Sequence, residues 1–193
     1  MTFSIAARCE ETGMFGIAIS SSSPAVSARC AFARADVGAV ASQNMTDPSL
    51  GTRCLDLMQS GHSAESAIRT IAESAEHVSY RQLSAVDNIL RTATCSGEKT
   101  LGVHAAKTAK NVACAGNLLA GTHVPDAMVN AFLGSLGHLG DRLLAAMKAA
   151  VSAGGEAGPV HSAGMLLVDK MSWPIAGLRI DWHEAGEPVD DTR

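Results

Sequence analysis

Alternating apolar and polar residues predict a β-hairpin at the N-terminus. Over residues 2–8, Phe3 and Ile5 face one way while Thr2 faces the other, the period of two that a strand with one face on a core shows. A polar turn at residues 10–13 and a second alternating segment over residues 14–20 complete an antiparallel pair. Folding about Glu11 places Thr2 opposite Ser20 to within about two residues.

The remaining pattern predicts further strands and four helices. Strand-like segments at 27–33 and 37–42 would complete a sheet of about four strands. Asp47 and Pro48 start a helix that closes at Gly61, and Ser63 caps a second helix that runs to about residue 76. The later strands are expected at 80–86, 89–94, 161–168 and 175–182, and less distinctly over 100–115, with helices at 125–133 and 139–153.

This order of elements predicts an α/β (α+β) protein with a single domain over residues 1–193. Two antiparallel sheets would pack face to face and carry helices on their outer faces, forming a four-layer αββα sandwich.

Composition and charge narrow the function classes. Apolar residues make up 47% of the chain but aromatic residues only 4%, so close packing must come from small side chains. The formal charge is −4 and no run of Lys or Arg occurs, so nucleic acid and anionic membranes are not expected as partners. A small-molecule substrate is then the expected partner. Because no segment reaches the roughly 18 apolar residues of a membrane span, we expect a soluble cytoplasmic protein.

Cysteine and histidine spacing predicts no metal and no other cofactor. The 5 cysteines are scattered without a C-x-x-C pair, and the 7 histidines form no H-E-x-x-H motif.

Thr2 is the candidate nucleophile. A small residue after Met1 favours removal of the initiator methionine, which leaves a hydroxyl and a free α-amine on one residue. The α-amine has an ordinary pKa of about 7.7–8.0, so near neutral pH it can take the proton of its own hydroxyl. Many cytosolic proteins merely expose such a terminus, which is the alternative. A strand that starts directly at Thr2 favours the catalytic interpretation, because termini are usually loose.

The whole chain resembles the family catalogued as domain of unknown function 1028, which is assigned to the N-terminal nucleophile hydrolase superfamily. Several ordered segments carry the resemblance. They are residues 2–8, 34–43, Thr46-Asp47-Pro48, Gly51, 55–57, Arg81-Gln82, Val86-Asp87, 116–121, 141–144, Gly154-Gly155, Ser162-Ala163 and 178–181.

The resemblance implies the αββα sandwich, a catalytic Thr2 at a processed N-terminus, and hydrolysis of an amide, here expected to be the C–N bond of a small linear amide. Where relatives usually carry Arg-Gly-x-Gln before Ser-Ala, this chain has residues 158–161 as Gly-Pro-Val-His. This departure leaves open an inert member that binds a small ligand or acts as an assembly subunit. An exposed sheet edge would favour a homodimer.

Five residues are candidates for the catalytic site. Besides Thr2, the amide of Asn117 could donate to the oxyanion, unless Gly116-Asn117 is only a turn. Ser20 and Ser21 return beside Thr2 and could orient its amine, or they form an ordinary polar loop. The resemblance implies for Arg34 a cationic role that lowers the pKa of the nucleophile or amine, against the alternative of a solvated surface arginine.

Three further residues are candidates for substrate binding. Gln43 and Asn44 close an apolar strand, so they either face a pocket or terminate the sheet. Arg81 could bind a carboxylate in bidentate fashion, or lie exposed on a strand.

Overall fold

A computed structural model describes residues 1–186 and 188–189, which form two antiparallel sheets and five α-helices. The helices are α1 Val26–Cys30, α2 Pro48–Gln59, α3 Ala64–Ser74, α4 Val124–Gly134 and α5 Leu139–Ser152, with a 3₁₀ turn at Val78–Tyr80. The strands are β1 Thr2–Arg8, β2 Phe15–Ser21, β3 Ala31–Arg34, β4 Gly38–Asn44, β5 Arg81–Asp87, β6 Thr92–Ser96, β7 Ala105–Ala109, β8 Val112–Asn117, β9 Ser162–Val168 and β10 Ala176–Ile180.

The predicted four-layer αββα sandwich is confirmed. One sheet has six strands in the order β10-β9-β2-β1-β8-β7, and the other has four in the order β3-β4-β5-β6. Helices α4 and α5 cover the outer face of the six-stranded sheet, and α2 and α3 cover that of the four-stranded sheet. In β1, Phe3 and Ile5 pack in the core under α4 and α5, whereas Ala6 packs between the sheets.

The helix starts at Asp47 and Ser63 are confirmed. The side chain of Asp47 accepts a hydrogen bond from the Ser49 N–H, and that of Ser63 accepts one from the Ser66 N–H. Each satisfies a backbone donor that has no partner in the first turn of a helix.

The register of the N-terminal hairpin is also within the predicted margin. Phe3 pairs with Ser20, so the next position along the ladder brings Ser21 beside Thr2. Because side chains alternate between the two faces of a strand, this single step decides which serine shares the face of Thr2.

The strand expected over 27–33 is confirmed only from Ala31 onward, as β3, and the expectation that it shares one sheet with the N-terminal hairpin is wrong. Up to Cys30 the chain forms the short helix α1, since Val26 and Cys30 are four residues apart and are both buried against Ile19. Ala25 precedes the helix in the left-handed region with a φ of 51°. The helix carries the chain across to the second sheet, so β3 and β4 do not extend the β1–β2 hairpin.

Small side chains allow the two sheets to approach closely. The apolar cluster between them consists of Ala6, Phe15, Ala39, Val86 and Val168. At the end of this interface where β1 begins, polar side chains replace the apolar ones.

Candidate active site

Thr2 lies at the start of β1, between its neighbours in the six-stranded sheet. It pairs with Asn117 of β8 on one side and lies beside Ser21 of β2 on the other. The Thr2 and Ser21 hydroxyl oxygens are 3.2 Å apart, and Thr2 is only 5% exposed. Both hydroxyls also donate hydrogen bonds to the carbonyl oxygen of Met1. Two hydroxyl groups therefore converge on one carbonyl oxygen at the N-terminus.

A network of buried side-chain amides lies next to this position and joins the two sheets. Gln43 of β4 accepts a hydrogen bond from the Ser4 hydroxyl at 2.6 Å and donates one to the side-chain oxygen of Gln82 at 2.8 Å. The same Gln82 oxygen accepts from the Asn117 amide at 3.1 Å. The Gln82 amide nitrogen donates to the Ser96 hydroxyl at 3.0 Å. All four residues on the Ser4–Gln43–Gln82–Asn117 path are buried.

Two backbone carbonyls fix the orientation of these amides. The Gln43 nitrogen also donates to the Ala115 carbonyl at 3.3 Å, and the Gln82 nitrogen donates to the Gly116 carbonyl at 3.0 Å. A carbonyl can only accept, so the Gln82 oxygen must face Asn117 and the Asn117 nitrogen must donate to it. The other polar atom of this side chain, Asn117 Oδ1, is buried and has no hydrogen-bond partner among the residues that the structure describes.

This orientation changes the chemistry expected of Asn117. The sequence-based hypothesis had its NH₂ group stabilise an oxyanion, and one of the two N–H donors of that group is engaged with Gln82. The buried Oδ1 is in addition an acceptor, which suits an N–H group of a ligand.

Glu156 is a buried carboxylate that contacts the backbone just after Ser21. It is 5% exposed, and the backbone N–H of Ser22 donates to both of its oxygens at 3.2 Å. Burial raises the pKa of Glu156 from 4.5 to about 7, while the positive α-amine of Met1 and the bonds from Ser22 oppose this increase. The charge of the N-terminal α-amine thus acts on the carboxyl of Glu156.

Two predicted catalytic residues do not join Thr2. Arg34 forms an ion pair with Asp56 of α2 at 2.9 Å, at the end of the β3–β4 hairpin opposite Gln43. It is a partly exposed surface arginine, and the structure does not bring it together with Thr2. Ser20 faces the opposite side of the sheet from Thr2, because it pairs with Phe3, and its hydroxyl donates to the Ser162 carbonyl at 3.0 Å.

The three predicted substrate-binding residues have structural partners. Gln43 belongs to the amide network, whereas the Asn44 amide donates to the Tyr80 carbonyl at 2.6 Å and the Arg81 guanidinium donates to the Met45 carbonyl. Asn44 and Arg81 line a shallow pocket outside the network together with Arg29, Met45, Thr46 and Pro48.

Sequence reasoning missed Ser4, Gln82 and Glu156. Ser4 was recognisable, because it alternates onto the same face as Thr2. Gln82 follows Arg81 in a strand and gave no sign of which face it occupies. Glu156 is the only acidic residue between α5 and β9, but its contact with Ser22 depends on the tertiary fold.

Neither a metal-ligand cluster nor a membrane-spanning helix occurs among the described residues. Within residues 1–186 and 188–189, no three His, Cys, Asp or Glu side chains are arranged to hold a metal ion. None of the helices in these residues is long and apolar enough to cross a membrane.

Comparisons with known proteins agree with this fold. The family of unknown function DUF1028 matches over residues 2–191. The crystal structure of a DUF1028 protein from Silicibacter pomeroyi superimposes with a TM-score of 0.91 at 31% identity, covering 98% of this chain and 81% of that one. No curated protein matches the chain.

Two solved structures are similar at a lower level. HslV from Trypanosoma brucei gives a TM-score of 0.48 at 11% identity, covering 88% of this chain and 99% of that one. Anbu (ancestral beta-subunit) from Yersinia bercovieri gives 0.42 at 10% identity, covering 93% and 87%.

The class of protein is therefore an αββα sandwich whose first strand begins at a threonine beside a polar inter-sheet network. The chain belongs to the DUF1028 family.

The amide network predicts a large effect of Gln82→Leu on stability. The substitution leaves the Asn117 amide and the Gly116 carbonyl without their Gln82 partners in a buried position. Each such group costs about 1–3 kcal/mol, so we expect the free energy of unfolding to fall by about 2–4 kcal/mol in urea denaturation. The control is Asn130→Leu on the exposed face of α4, which should change it by less than about 0.5 kcal/mol. Equal stability of the two variants would contradict the network.

Glu156 predicts a pH-dependent stability difference. The raised pKa means that the folded protein holds a proton that the unfolded chain releases, so Glu156 lowers stability as the pH rises from about 4.5 to about 7. Glu156→Gln removes this ionisation. The variant should therefore become more stable relative to the unsubstituted protein as the pH rises from about 5 to about 8, by up to about 3 kcal/mol in the free energy of unfolding. The difference between the melting temperatures of the two proteins should increase over the same range.

The matched control is Glu73→Gln, which removes a solvent-exposed carboxylate on α3. Its melting-temperature difference should stay constant over the same range. A Glu156→Gln difference that is also constant would show that the carboxyl of Glu156 is not buried as described.

Proposed function

We propose that this protein is an N-terminal-threonine hydrolase that cleaves the C–N bond of a small linear amide through an acyl-enzyme intermediate. The observation that carries the proposal is the position of Thr2. Its hydroxyl lies 3.2 Å from the Ser21 hydroxyl at the polar end of the inter-sheet space, and both hydroxyls converge on a carbonyl oxygen. A substrate carbonyl could occupy the position of this oxygen once Met1 has been removed.

The chemistry begins with the free α-amine of Thr2. The amine takes the proton of Thr2 Oγ1, directly or through a water, and the oxygen attacks the amide carbonyl carbon. The tetrahedral intermediate collapses as the protonated amine returns its proton to the leaving nitrogen, so the C–N bond breaks and an ester of Thr2 remains. Water activated by the same amine then hydrolyses the ester and releases a carboxylic acid.

Ser21 is proposed as the donor to the oxyanion in this cycle. Its hydroxyl already donates to a carbonyl oxygen beside Thr2 Oγ1, while its oxygen accepts the Ser23 N–H at 3.0 Å, which helps to hold the group in place. Asn117 is proposed as a positioning residue, because its unpartnered oxygen lies on the strand paired with Thr2 and can accept a hydrogen bond from an amine.

An inert family member that binds a ligand or serves as an assembly subunit is the second candidate. It is favoured by the position of Met1 itself, whose carbonyl oxygen engages both hydroxyls. If Met1 is retained, Thr2 has no α-amine to act as base.

The proposal predicts that Thr2→Ala, in a chain beginning at residue 2, abolishes turnover because the attacking oxygen is lost. Thr2→Ser keeps a hydroxyl and should retain activity. Turnover is measured as ammonia or amine released from a panel of small amides, and thermal unfolding should show nearly the same melting temperature. The control is Thr108→Ala, which removes an exposed hydroxyl on β7.

The pH profile tests the base. Activity should rise as the pH increases through about 7 to 8, the range in which an α-amine loses its proton. A flat pH profile would count against the amine as the base.

In the substitution experiment, unaltered turnover in Thr2→Ala would exclude Thr2 as the nucleophile.

A homodimer is also proposed, through β10 at the edge of the six-stranded sheet. The strand carries Leu178 with 57% of its surface exposed, and Trp173 just before it is 58% exposed. An edge strand of this kind can pair with a second copy. Light scattering coupled to size-exclusion chromatography should give the mass of a dimer, and a monomer at all concentrations would contradict this pairing.

A further inference from the structure

Two arginines line the pocket beyond the ends of β4 and β5. Its volume is about 360 Å³, a size that holds a small molecule, and Arg29 lines it from α1 while Arg81 lines it from β5. No Asp or Glu is among its described lining residues, and neither arginine forms an ion pair in the part of the chain that the structure describes. The pocket therefore carries positive charge that no described acidic side chain compensates.

Arg81 is held in place in the wall of this pocket. Its guanidinium donates to the carbonyl oxygen of Met45, and its Nε is buried. The adjacent wall residue Asn44 donates to the Tyr80 carbonyl at 2.6 Å and accepts the Leu101 N–H at 3.3 Å. These contacts order the wall before a ligand binds, which lowers the entropic cost of binding.

Arg29 reaches the same pocket because α1 contacts the loop after β4. The Cys30 sulfur and the Thr46 hydroxyl oxygen are 3.3 Å apart, and Thr46 lines the pocket together with Arg29. Two guanidinium groups suit a carboxylate, whose two oxygens accept paired N–H donors.

Asp47 follows the pocket-lining residue Thr46 but is engaged elsewhere. Its side chain accepts the N–H of Ser49 at 3.0 Å and the Ser49 hydroxyl at 2.7 Å, at the start of α2. These hydrogen bonds lower the pKa of Asp47, and the charge of Arg81 adds to the effect from beyond ion-pair distance. Asp47 therefore leaves the arginines available to a ligand.

The pocket lies at the end of the sandwich where β1 begins. Ser4 contacts Gln43 across the interface between the sheets, whereas Ala6 belongs to the same apolar cluster as Ala39. The strands β1 and β4 therefore run in opposite directions across this interface. The first residue of β1 then lies at the level of residues 44–45, which line the pocket.

The neighbouring strand β5 leads to the same placement. The side chain of Gln82 contacts that of Asn117, which pairs with Thr2. Arg81 is the next residue toward the open end of the interface. The arginine pocket therefore borders the site at Thr2.

We propose that the substrate is an amide that also carries a carboxylate group, and that Arg29 and Arg81 bind this carboxylate. This inference rests on the proposed function of Thr2. The amide carbonyl lies at the hydroxyls of Thr2 and Ser21, and the carboxylate extends toward the ends of β4 and β5. The two arginines then select acidic amides over neutral amides.

The test compares the binding of acidic and neutral ligands of the same shape. Succinamate differs from succinamide, and N-acetylglycine from N-acetylglycinamide, only by a carboxylate in place of a neutral amide. The first pair carries this group on the acyl part and the second on the amine part. All four are titrated calorimetrically into a chain that begins at residue 2 and carries Thr2→Ala, which prevents turnover.

We expect the acid to bind at least about tenfold more tightly than its neutral partner in one of the two pairs, because hydrogen bonds to a charged group are the stronger ones. The pair that shows the preference tells on which side of the scissile bond the carboxylate lies. Equal binding of acid and neutral ligand in both pairs would overturn the inference.

Substitutions assign the preference to the two arginines. Arg29→Gln and Arg81→Gln should each weaken it and the double variant should abolish it, whereas Arg69→Gln on the exposed face of α3 should retain it. Arg29→Gln leaves the bond between Arg81 and Met45 intact, so it tests the site even if Arg81→Gln fails to fold. An undiminished preference in Arg29→Gln would contradict the assignment.

Turnover measurements separate this inference from the proposed function. If the Thr2 protein cleaves neutral amides and no acid binds more tightly than its neutral partner, the hydrolase proposal stands and the carboxylate site is wrong. If an acid binds through Arg29 and Arg81 but no amide is cleaved, the carboxylate site stands and the hydrolase proposal is wrong.

Discussion

The position of Thr2 depends on the buried amide network that ties the two sheets together. Gln82 accepts from both Gln43 and Asn117 and donates to a carbonyl of β8, so it links a strand of the four-stranded sheet to the strand that pairs with Thr2. The carbonyls of Ala115 and Gly116 leave these amides only one orientation that satisfies their donors. A network with nearly every group satisfied is stabilising, and an alternative packing of the sheets would leave its members buried and unpaired.

The same network explains why the polar end of the interface suits a reactive group. Elsewhere the sheets meet through small apolar residues such as Ala6 and Ala39, which leave no room for a ligand. Toward the start of β1 the side chains of Ser4 and Thr2 continue the alternation of Ala6 and face the opposite sheet. Glu156 lies in the loop after α5 and contacts the backbone next to Ser21. The first residues of the chain therefore lie near side chains from β2, β4, β8 and this loop.

Much of the fold was predictable because its signals are local. The alternation over residues 2–8 and 14–20, the caps at Asp47 and Ser63, and the order of strands and helices all appear in the structure. Helix α1 was missed because its five residues, Val-Ser-Ala-Arg-Cys, mix helix formers with a β-branched residue, and its contact with Ile19 is tertiary.

The site was less predictable because it depends on which face each residue occupies. The hairpin placed two serines near Thr2, but a shift of one position separates Ser21, which faces Thr2, from Ser20, which does not. Arg34 was assigned by resemblance and lies at the far end of its hairpin, whereas Glu156 reaches the N-terminus only in the folded chain. Because the account depends on a free amine at Thr2, the most direct measurement is the intact mass of the natively expressed protein. Catalysis by Thr2 requires a chain that lacks one methionine and begins at Thr2, and full retention of Met1 would rule this role out.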